Sequence, residues 1–356
     1  MTSPMTSPTH ATAALPSGAL RLADWGVIRA RGEDARTFLQ GQLTQDVKGL
    51  TPEHARPAGW CSAKGRLLAS FVMWSPAPDQ VLLACSADLL APTLKRLSMF
   101  VMRSKCKLDD ASADLPLWGL AGGSASAWLG DAAAAPAWSV VAGAGVTNVT
   151  NVANATNAAN ATNAANSAEG SGAAAGMALR LPDAAVHGQP VPRWLWLPPQ
   201  PDAAPPLPAL DAALWAGLEA LSAVPRIVSA TAEHFVPQMV NLEVVGGVNF
   251  QKGCYPGQEV VARSQYRGTL KRRAFVLAGE VPMAPAQEVF HSDDPGQPAG
   301  AVVLAGRDPE GSGAGSVALV ELKIATLATG TLHLGAADGP LLQPRALPYA
   351  LPTEAA

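Results

Sequence analysis

The sequence predicts an α+β protein that ends in a small antiparallel β-barrel. Leucines at helical spacing over residues 87–99 predict a helix, and two apolar runs around a turn over residues 60–74 predict a β-hairpin. From residue 271 onward, short runs rich in valine and alanine recur at even spacing between Gly, Asp and Pro turns. Several short strands of this kind are typical of a closed barrel.

The composition predicts buried cores and no general affinity for nucleic acid. Of 356 residues, 48% are apolar and 15% are charged, which is enough material for two or three domains. The net charge of −3 provides no positive field to hold nucleic acid by its phosphates. The most basic segment, residues 263–273, is more typical of a solvated strand edge than of an RNA site. We therefore expect no direct contact with tRNA.

The cysteines and the N-terminus indicate the compartment. Cys61, Cys85, Cys106 and Cys254 are widely spaced, and no two of them form a Cys-x-x-Cys pair. This spacing argues against a zinc or iron–sulfur cage built by the protein alone, so we predict no metal site. The first 20 residues lack the features of a signal peptide, and no apolar stretch is long enough to span a bilayer. We expect a cytoplasmic protein with free thiols and no membrane contact.

The first third of the chain is predicted element by element. Residues 1–19, in which Met1–Pro4 is repeated as Met5–Pro8, are expected to be a disordered leader. The regular elements that follow are a strand at 25–30, a helix at 33–43, the hairpin at 60–74, the helix at 87–99 and a strand at 100–108.

The rest of the chain contains an unusual insert. Asn recurs at every third residue from Asn148 to Asn166, a period that fits neither a helix face nor a strand face. Segment 143–176 has almost no large apolar side chains, so it cannot offset its ordering entropy and is predicted to be disordered. The Pro-rich run 198–208 is predicted to be a linker. The remaining elements are a helix at 211–221 and barrel strands at 273–277, 301–305, 316–324 and 331–334.

The segment with the clearest chemistry is residues 252–263. Gly253, Pro256 and Gly257 force a tight backbone around Cys254. A thiol two residues from Lys252, and close to a following helix N-terminus, can be partly thiolate at neutral pH. Gln258 and Glu259 would supply hydrogen-bonding groups nearby. The alternative is structural, because a lone cysteine is most often buried and inert.

The same segment supports a family resemblance. Lys252-Gly-Cys-Tyr-x-Gly-Gln-Glu-x-x-x-Arg263 resembles the motif of the YgfZ family, which includes mitochondrial iron–sulfur assembly relatives. The resemblance covers nearly all of residues 20–352 apart from the Asn-rich insert. Further matching segments are Asp24-Trp25, Phe38 to Asp46, Cys61 to Arg66, Arg103 to Lys105, Phe235 to Gln238, Tyr266 to Gly268 and Leu347 to Tyr349.

The resemblance implies a fold like that of the glycine-cleavage T-protein, with three domains around a central hole that holds a folate. It implies an N-terminal α+β domain over 20–115, a middle α+β region over 116–205 and a barrel over 269–356. Residues 206–268 would continue the folate-binding domains and carry the Lys-Gly-Cys-Tyr motif.

The resemblance also assigns residues to sites. Trp25 and Trp215 fall on two tryptophans of the family's folate site, where a flat pterin ring can stack on indole. The alternative for either tryptophan is core packing. The motif residues Lys252, Gly253, Cys254, Tyr255, Gly257, Gln258, Glu259 and Arg263 would form the functional loop, with Cys254 as the functional thiol, contacting a cluster or a partner, and Lys252 tuning it. Ala223 stands where the family usually has glycine, and its methyl group is expected to narrow the pocket.

Two departures from the T-protein bear on activity. Active T-proteins carry an acidic residue in the early hairpin, whereas residues 64–70 here contain no carboxylate. The T-protein also lacks the cysteine found here as Cys254. The resemblance therefore implies a tetrahydrofolate-binding accessory protein that assembles, repairs or maintains iron–sulfur enzymes, including the enzyme that methylthiolates tRNA. Its partners would be iron–sulfur enzymes or assembly factors. A folate-dependent aminomethyltransferase or demethylase and a ligand-free interaction module are the alternatives, and whether the protein is an enzyme stays open.

Overall fold

The chain forms two open β-sheets and a closed β-barrel in a computed structural model that describes residues 14–143, 176–266, 270–311 and 313–352. The strands are β1 Gly18–Arg21, β2 Trp25–Arg31, β3 Arg56–Cys61, β4 Leu67–Ala77, β5 Gln80–Ser86, β6 Lys107–Asp110, β7 Trp118–Ala121, β8 Val140–Ala142, β9 Met177–Val186, β10 Gln189–Leu197, β11 Arg272–Gly279, β12 Glu288–His291, β13 Gly300–Arg307, β14 Ser316–Lys323, β15 Leu332–Leu334 and β16 Leu341–Arg345. The helices are α1 Ala35–Gln40, α2 Ala87–Val101, α3 Gly122–Leu129, α4 Ala212–Leu221 and α5 Gln258–Tyr266. The predicted α+β class with a C-terminal antiparallel barrel is confirmed.

The first sheet has the strand order β3-β4-β5-β2-β6, and all of its neighbours are antiparallel. The predicted hairpin over 60–74 corresponds to β3 and β4, in which Gly59 lies opposite Ser70. Nearly every residue of β4 from Leu67 to Ser75 is buried, so both faces of this strand are covered. This strand later provides one wall of the candidate site.

The second sheet has the order β1-β7-β10-β9-β8. Its edge strand β1 shows that the predicted boundary of the leader is too late, because Gly18 and Ala19 pair with Ala121 and Leu120 of β7. Residues 1–13 of that leader lie outside the described residues, as do residues 144–175 of the predicted insert. At the two ends of the insert, the N–H of Gly143 donates to the carbonyl of Gly176 at 2.8 Å.

The barrel closes in the order β11-β14-β13-β12-β15-β16, and β16 returns to pair with β11. Helix α4 packs against the outside of β13 where two glycines meet. A Cβ on Gly217 would lie 2.0 Å from the carbonyl oxygen of Arg307, and one on Gly306 would lie 2.1 Å from the nitrogen of Gly217. Only glycine fits this approach, which joins the barrel to the helix that supports the candidate site.

One predicted strand is wrong. Residues 100–108 were expected to be extended, but Phe100 and Val101 end α2, and the strand starts only at Lys107. The helical spacing that includes Leu97 continues to Val101, which packs on the core, and the helix stops at Met102 with a φ of 44°. The two barrel strands β12 and β16 were not predicted. None of the helices in the described ranges is both long and apolar enough to cross a membrane.

Candidate functional site

A cleft lies between the two open sheets and the segment that follows α4. It is a narrow cleft that is partly open to solvent. Strand β4 lines one wall, and the end of α4 with the residues after it lines another. The lining residues are Trp25, Pro57, Ser70, Phe71, Val72, Trp138, Leu181, Pro182, Arg193, Glu219, Ser222, Val224, Pro225, Arg226 and Leu242.

Trp25 provides the aromatic surface of the cleft. It starts β2 and is half-buried, and the guanidinium carbon of Arg226 lies 4.9 Å from the centre of its ring. Its indole Nε1 is buried and has no hydrogen-bond partner among the described residues. A buried donor without a partner is unfavourable by roughly 1–3 kcal/mol. The indole nitrogens of Trp74, Trp118, Trp194 and Trp215 are also buried without a partner among the described residues, so this state is not specific to the cleft.

Arg226 is neutralised by two carboxylates. Its Nε and Nη2 donate to the two oxygens of Glu219 at 3.2 and 2.9 Å, and Nη2 also donates to Asp24 at 2.8 Å. Burial alone would lower the pKa of Arg226, but the two carboxylates outweigh this effect and raise that pKa above its ordinary value. The pair of Arg226 and Glu219 is therefore a fixed, charge-balanced element of the cleft wall.

Arg193 enters the cleft from β10, and Trp215 lies behind it. The side chain of Trp215 is 2% exposed, one face of its ring lies against Gly119, and the guanidinium carbon of Arg193 lies 5.4 Å from its centre. Trp215 does not line the cleft. The structure thus separates the two tryptophans that the sequence placed together, because Trp25 faces the cleft while Trp215 supports Arg193 from the core.

Ala223 affects the backbone beside the cleft. It follows Ser222, the C-cap of α4, and adopts a left-handed φ of 51°. This position favours glycine, since a Cβ there costs about 1–2 kcal/mol. Ala223 is fully buried and does not itself line this cleft, although its neighbours Ser222 and Val224 do, so the expected narrowing of a folate pocket stays a prediction. Its carbonyl accepts a hydrogen bond from the hydroxyl of Tyr349 at 2.8 Å.

A second depression adjoins the cleft. It shares Trp138, Pro182 and Ser222 with the cleft and is otherwise lined by residues that include Asp183 and Tyr349.

The Lys-Gly-Cys-Tyr loop lies away from the cleft, against α1 and the β3–β4 turn. The ammonium of Lys252 donates to the carbonyls of Gln40, at the end of α1, and Leu43, the latter at 2.5 Å. It also lies 4.9 Å from the ring centre of Tyr255, which is buried. Burial lowers the pKa of Lys252 to about 8, against smaller opposing effects of Asp46 and Cys254. Lys252 thus holds the loop against the end of α1, and it also lies within electrostatic range of the Cys254 thiol.

Cys254 is exposed, whereas Cys61 and Cys85 are buried and Cys106 is partly buried. The loop reaches α5 through Gly257, whose φ is 77° and whose Cβ would lie 2.4 Å from the carbonyl oxygen of Ser62. The predicted helix after the thiol is thus present. Of the remaining loop residues, Gly253, Glu259 and Arg263 are exposed and Gln258 is half-buried.

The basic segment at 263–273 is largely used for folding. Arg272 pairs with Glu321, and Arg273 pairs with Glu243, with both side chains of the latter pair 6% exposed. Arg267 lies outside the described residues. Arg272 and Arg273 of this basic segment therefore form ion pairs within the protein.

The comparisons with known proteins agree with this architecture. The "tRNA-modifying protein YgfZ" of Photobacterium profundum is 31% identical over 284 residues, which cover 76% of this chain and 73% of that protein. This chain belongs to the YgfZ family. The proteins of the same name from Edwardsiella ictaluri and Vibrio vulnificus strain YJ016 are also 31% identical, over 293 and 282 residues. No family model matches the chain.

The fold is that of the T-protein. The structure of the glycine cleavage system aminomethyltransferase T from Bartonella henselae superposes with a TM-score of 0.64 at 14% sequence identity. The match covers 93% of this chain and 85% of that one. In this YgfZ family member, the cleft and the cysteine loop are two separate places on a T-protein-like fold.

Three charged residues of the cleft, Arg193, Glu219 and Arg226, were missed in the sequence. Each had a signal, because each is a charge within an apolar stretch. Arg193 lies in Val-Pro-Arg-Trp-Leu-Trp-Leu, and Glu219 lies in a helix whose other nine residues are Ala, Leu, Trp and Gly. Long charged side chains are almost never fully buried unless they have a partner or a function, so such positions are worth selecting as site candidates.

Proposed function

We propose that this protein binds a reduced folate in the cleft and acts as an accessory protein for iron–sulfur enzymes, with Cys254 as its functional thiol. The single observation that carries the folate proposal is that the half-buried ring of Trp25 and the buried carboxylate of Glu219 line the same cleft. The T-protein-like fold supports it, because the cleft lies between the sheets of that fold.

The chemistry of the cleft fits a pterin. Its ring is flat and conjugated, which suits stacking on an indole such as Trp25. One edge of a pterin carries N–H donors next to a carbonyl oxygen, so it needs an acceptor and a donor side by side. Glu219 would accept, and the indole Nε1 of Trp25 or a guanidinium would donate. The folate itself supplies a one-carbon carrier, while these residues bind and orient it.

Titration calorimetry with tetrahydrofolate tests this proposal. Trp25→Leu removes the aromatic surface and should weaken binding by about 5- to 150-fold, because base-like stacking on an aromatic side chain is worth about 1–3 kcal/mol. Trp128→Leu is a matched control, since Trp128 is also half-buried but packs on Trp196 and does not line the cleft. Saturable binding that both variants retain unchanged would contradict the placement, and no binding to the wild type would contradict the folate proposal.

The accessory role is supported by the exposed thiol in the family loop and by the relatives, which are named tRNA-modifying proteins. In a strain that lacks the native gene, Cys254→Ser should lower iron–sulfur enzyme activity and the level of methylthiolated tRNA. Cys106→Ser is the control, because Cys106 is partly buried and lies outside the loop. Full complementation by Cys254→Ser would contradict a role for the thiol.

Aminomethyl transfer is the second candidate function. The cleft does contain a carboxylate, but Glu219 comes from α4 and not from the β3–β4 hairpin, and both of its oxygens accept hydrogen bonds from Arg226. This arrangement holds Glu219 as a fixed acceptor and not as a base. Formation of methylene-tetrahydrofolate from an amine donor by the purified protein would favour this candidate.

A further inference from the structure

Arg193 is a buried cation in the wall of the cleft. It lies in β10, and the residue is 2% exposed. Its Nε and Nη2 both donate to the carbonyl oxygen of Pro182, at 3.3 and 3.1 Å. The guanidinium carbon lies 5.4 Å from the ring centre of Trp215. These contacts fix the position of the group, but they supply one neutral acceptor.

Two other buried arginines in the described residues are paired with carboxylates, unlike Arg193. Arg226 and Arg273 are 8% and 5% exposed, and each pairs directly with a buried glutamate. Arg193 has no carboxylate within 4 Å in residues 14–143, 176–266, 270–311 and 313–352, and its Nη1 donates no hydrogen bond to any of them. At longer range the carboxylates of Glu219 and Asp183 attract it and the guanidinium of Arg180 repels it.

Such an arrangement is unfavourable without a ligand. Burial lowers the pKa of Arg193 to about 10, which shows how strongly its charge is desolvated. Buried charges in proteins are normally paired. A guanidinium offers parallel N–H groups that match the two oxygens of a carboxylate, so a partner of that shape would complete it.

We propose that Arg193 anchors a carboxylate of the ligand that occupies the cleft. This inference rests on the proposed function and extends it, since folate carries its negative charge on the glutamate tail. The pterin would lie at Trp25, and the tail would reach Arg193. Trp215 is then a positioning residue, which holds the guanidinium toward the cleft from the core side.

Three probes separate the parts of such a ligand. Tetrahydrofolate has the pterin and the tail, tetrahydrobiopterin has a pterin without the tail, and N-(4-aminobenzoyl)-L-glutamate has the tail without the pterin. Each is titrated into the wild-type protein, Arg193→Gln and Arg193→Lys. Arg345→Gln is the control, because Arg345 is also a partly buried arginine but lies in the barrel strand β16 and does not line the cleft.

Arg193→Gln should weaken tetrahydrofolate and aminobenzoylglutamate by about 10- to 100-fold, the range for losing hydrogen bonds to a charged group. Tetrahydrobiopterin should bind Arg193→Gln and the wild type equally. Arg193→Lys keeps the charge without the two parallel donors, so its affinity for tetrahydrofolate and aminobenzoylglutamate should lie between those of the wild type and Arg193→Gln. Binding by Arg345→Gln should be unchanged for all three probes.

The outcomes distinguish the two proposals. Unchanged tetrahydrofolate binding by Arg193→Gln, or an equal loss for tetrahydrobiopterin, would overturn the carboxylate anchor and leave folate binding intact. Wild-type protein that binds aminobenzoylglutamate through Arg193 but does not bind tetrahydrofolate would contradict the folate proposal and retain the anchor. Wild-type protein that binds neither would overturn both. If Arg193→Gln does not fold, the comparison of Arg193→Lys with the wild type carries the test.

Discussion

Replacing Glu219 with glutamine should destabilise the protein strongly. The carboxylate and the Arg226 guanidinium are 8% and 10% exposed and share two hydrogen bonds. Glu219→Gln keeps the size of the side chain but leaves a buried cation with one carboxylate, which itself is 61% exposed. Breaking one side of a buried ion pair typically costs about 3–5 kcal/mol, since the remaining charge stays desolvated.

The expected loss can be measured by thermal unfolding. Unfolding entropy near the midpoint is roughly 2.1 cal/mol/K per residue, or about 0.7 kcal/mol/K for a chain of 356 residues. A loss of about 3–5 kcal/mol therefore corresponds to a Tm lower by roughly 4–7 °C. Differential scanning calorimetry of wild type and variant at pH 7 measures this difference directly.

Asp24→Asn is the matched control, because it removes the other carboxylate from the same guanidinium. Asp24 is mostly exposed, so its loss should cost no more than about 1 kcal/mol, or roughly 1–2 °C. Equal losses in the two variants would refute a dominant role for desolvation of Arg226. A Glu219→Gln variant as stable as the wild type would do the same.

Three further predictions concern other parts of the molecule. Brief treatment of the native protein with iodoacetamide should modify the exposed Cys254 first, because burial raises the pKa of Cys61 and Cys85 to about 12 and that of Cys106 to about 11. Peptide mapping that finds Cys61 or Cys85 modified first would contradict this order. Ala223→Gly should raise the free energy of unfolding by about 0.5–1 kcal/mol, because the strain removed from the left-handed backbone is larger than the entropy cost of ordering a glycine. Urea denaturation measures this difference. A loss of stability would show that the packing of the buried methyl group contributes more. In the folded state the pKa of Lys252 is lowered to about 8, so between pH 8 and the ordinary pKa of 10.5 the unfolded chain binds more protons than the folded one. The free energy of unfolding of the wild type relative to Lys252→Met should therefore rise by about 1 kcal/mol from pH 7 to pH 9. A difference that falls with pH would contradict the assignment.

Local patterns in the sequence predict the elements that depend on neighbouring residues. The hairpin at 60–74 and the helix at 211–221 follow from apolar periodicity and turn residues, and both are present. Apolar periodicity does not predict strand β16, because Pro344 interrupts its alternating pattern. Proline is tolerated in a strand where it need not donate a hydrogen bond. Strand β12 has only four residues, too few to give an alternating pattern.

The cleft could not be predicted in this way, because its residues come together only through tertiary packing. Trp25 begins a strand of the first sheet, Arg193 lies in a strand of the second, and Glu219 and Arg226 flank the end of α4. The order of the second sheet, in which β1 pairs with β7, is what places these segments together. Sequence spacing does not encode that order. The different environments of Trp25 and Trp215 therefore became visible only in the structure.

The hydrogen bond between Gly143 and Gly176 has a practical consequence for protein engineering. The chain leaves the second sheet at β8 and returns at β9 with its two ends 2.8 Å apart, between N–H and carbonyl oxygen. That geometry is what a short hairpin turn requires, and it also accepts any folded module whose own termini are close together. A two-residue turn or a fluorescent reporter placed between Gly143 and Gly176 would join β8 to β9 without altering a residue that lines the cleft or the cysteine loop.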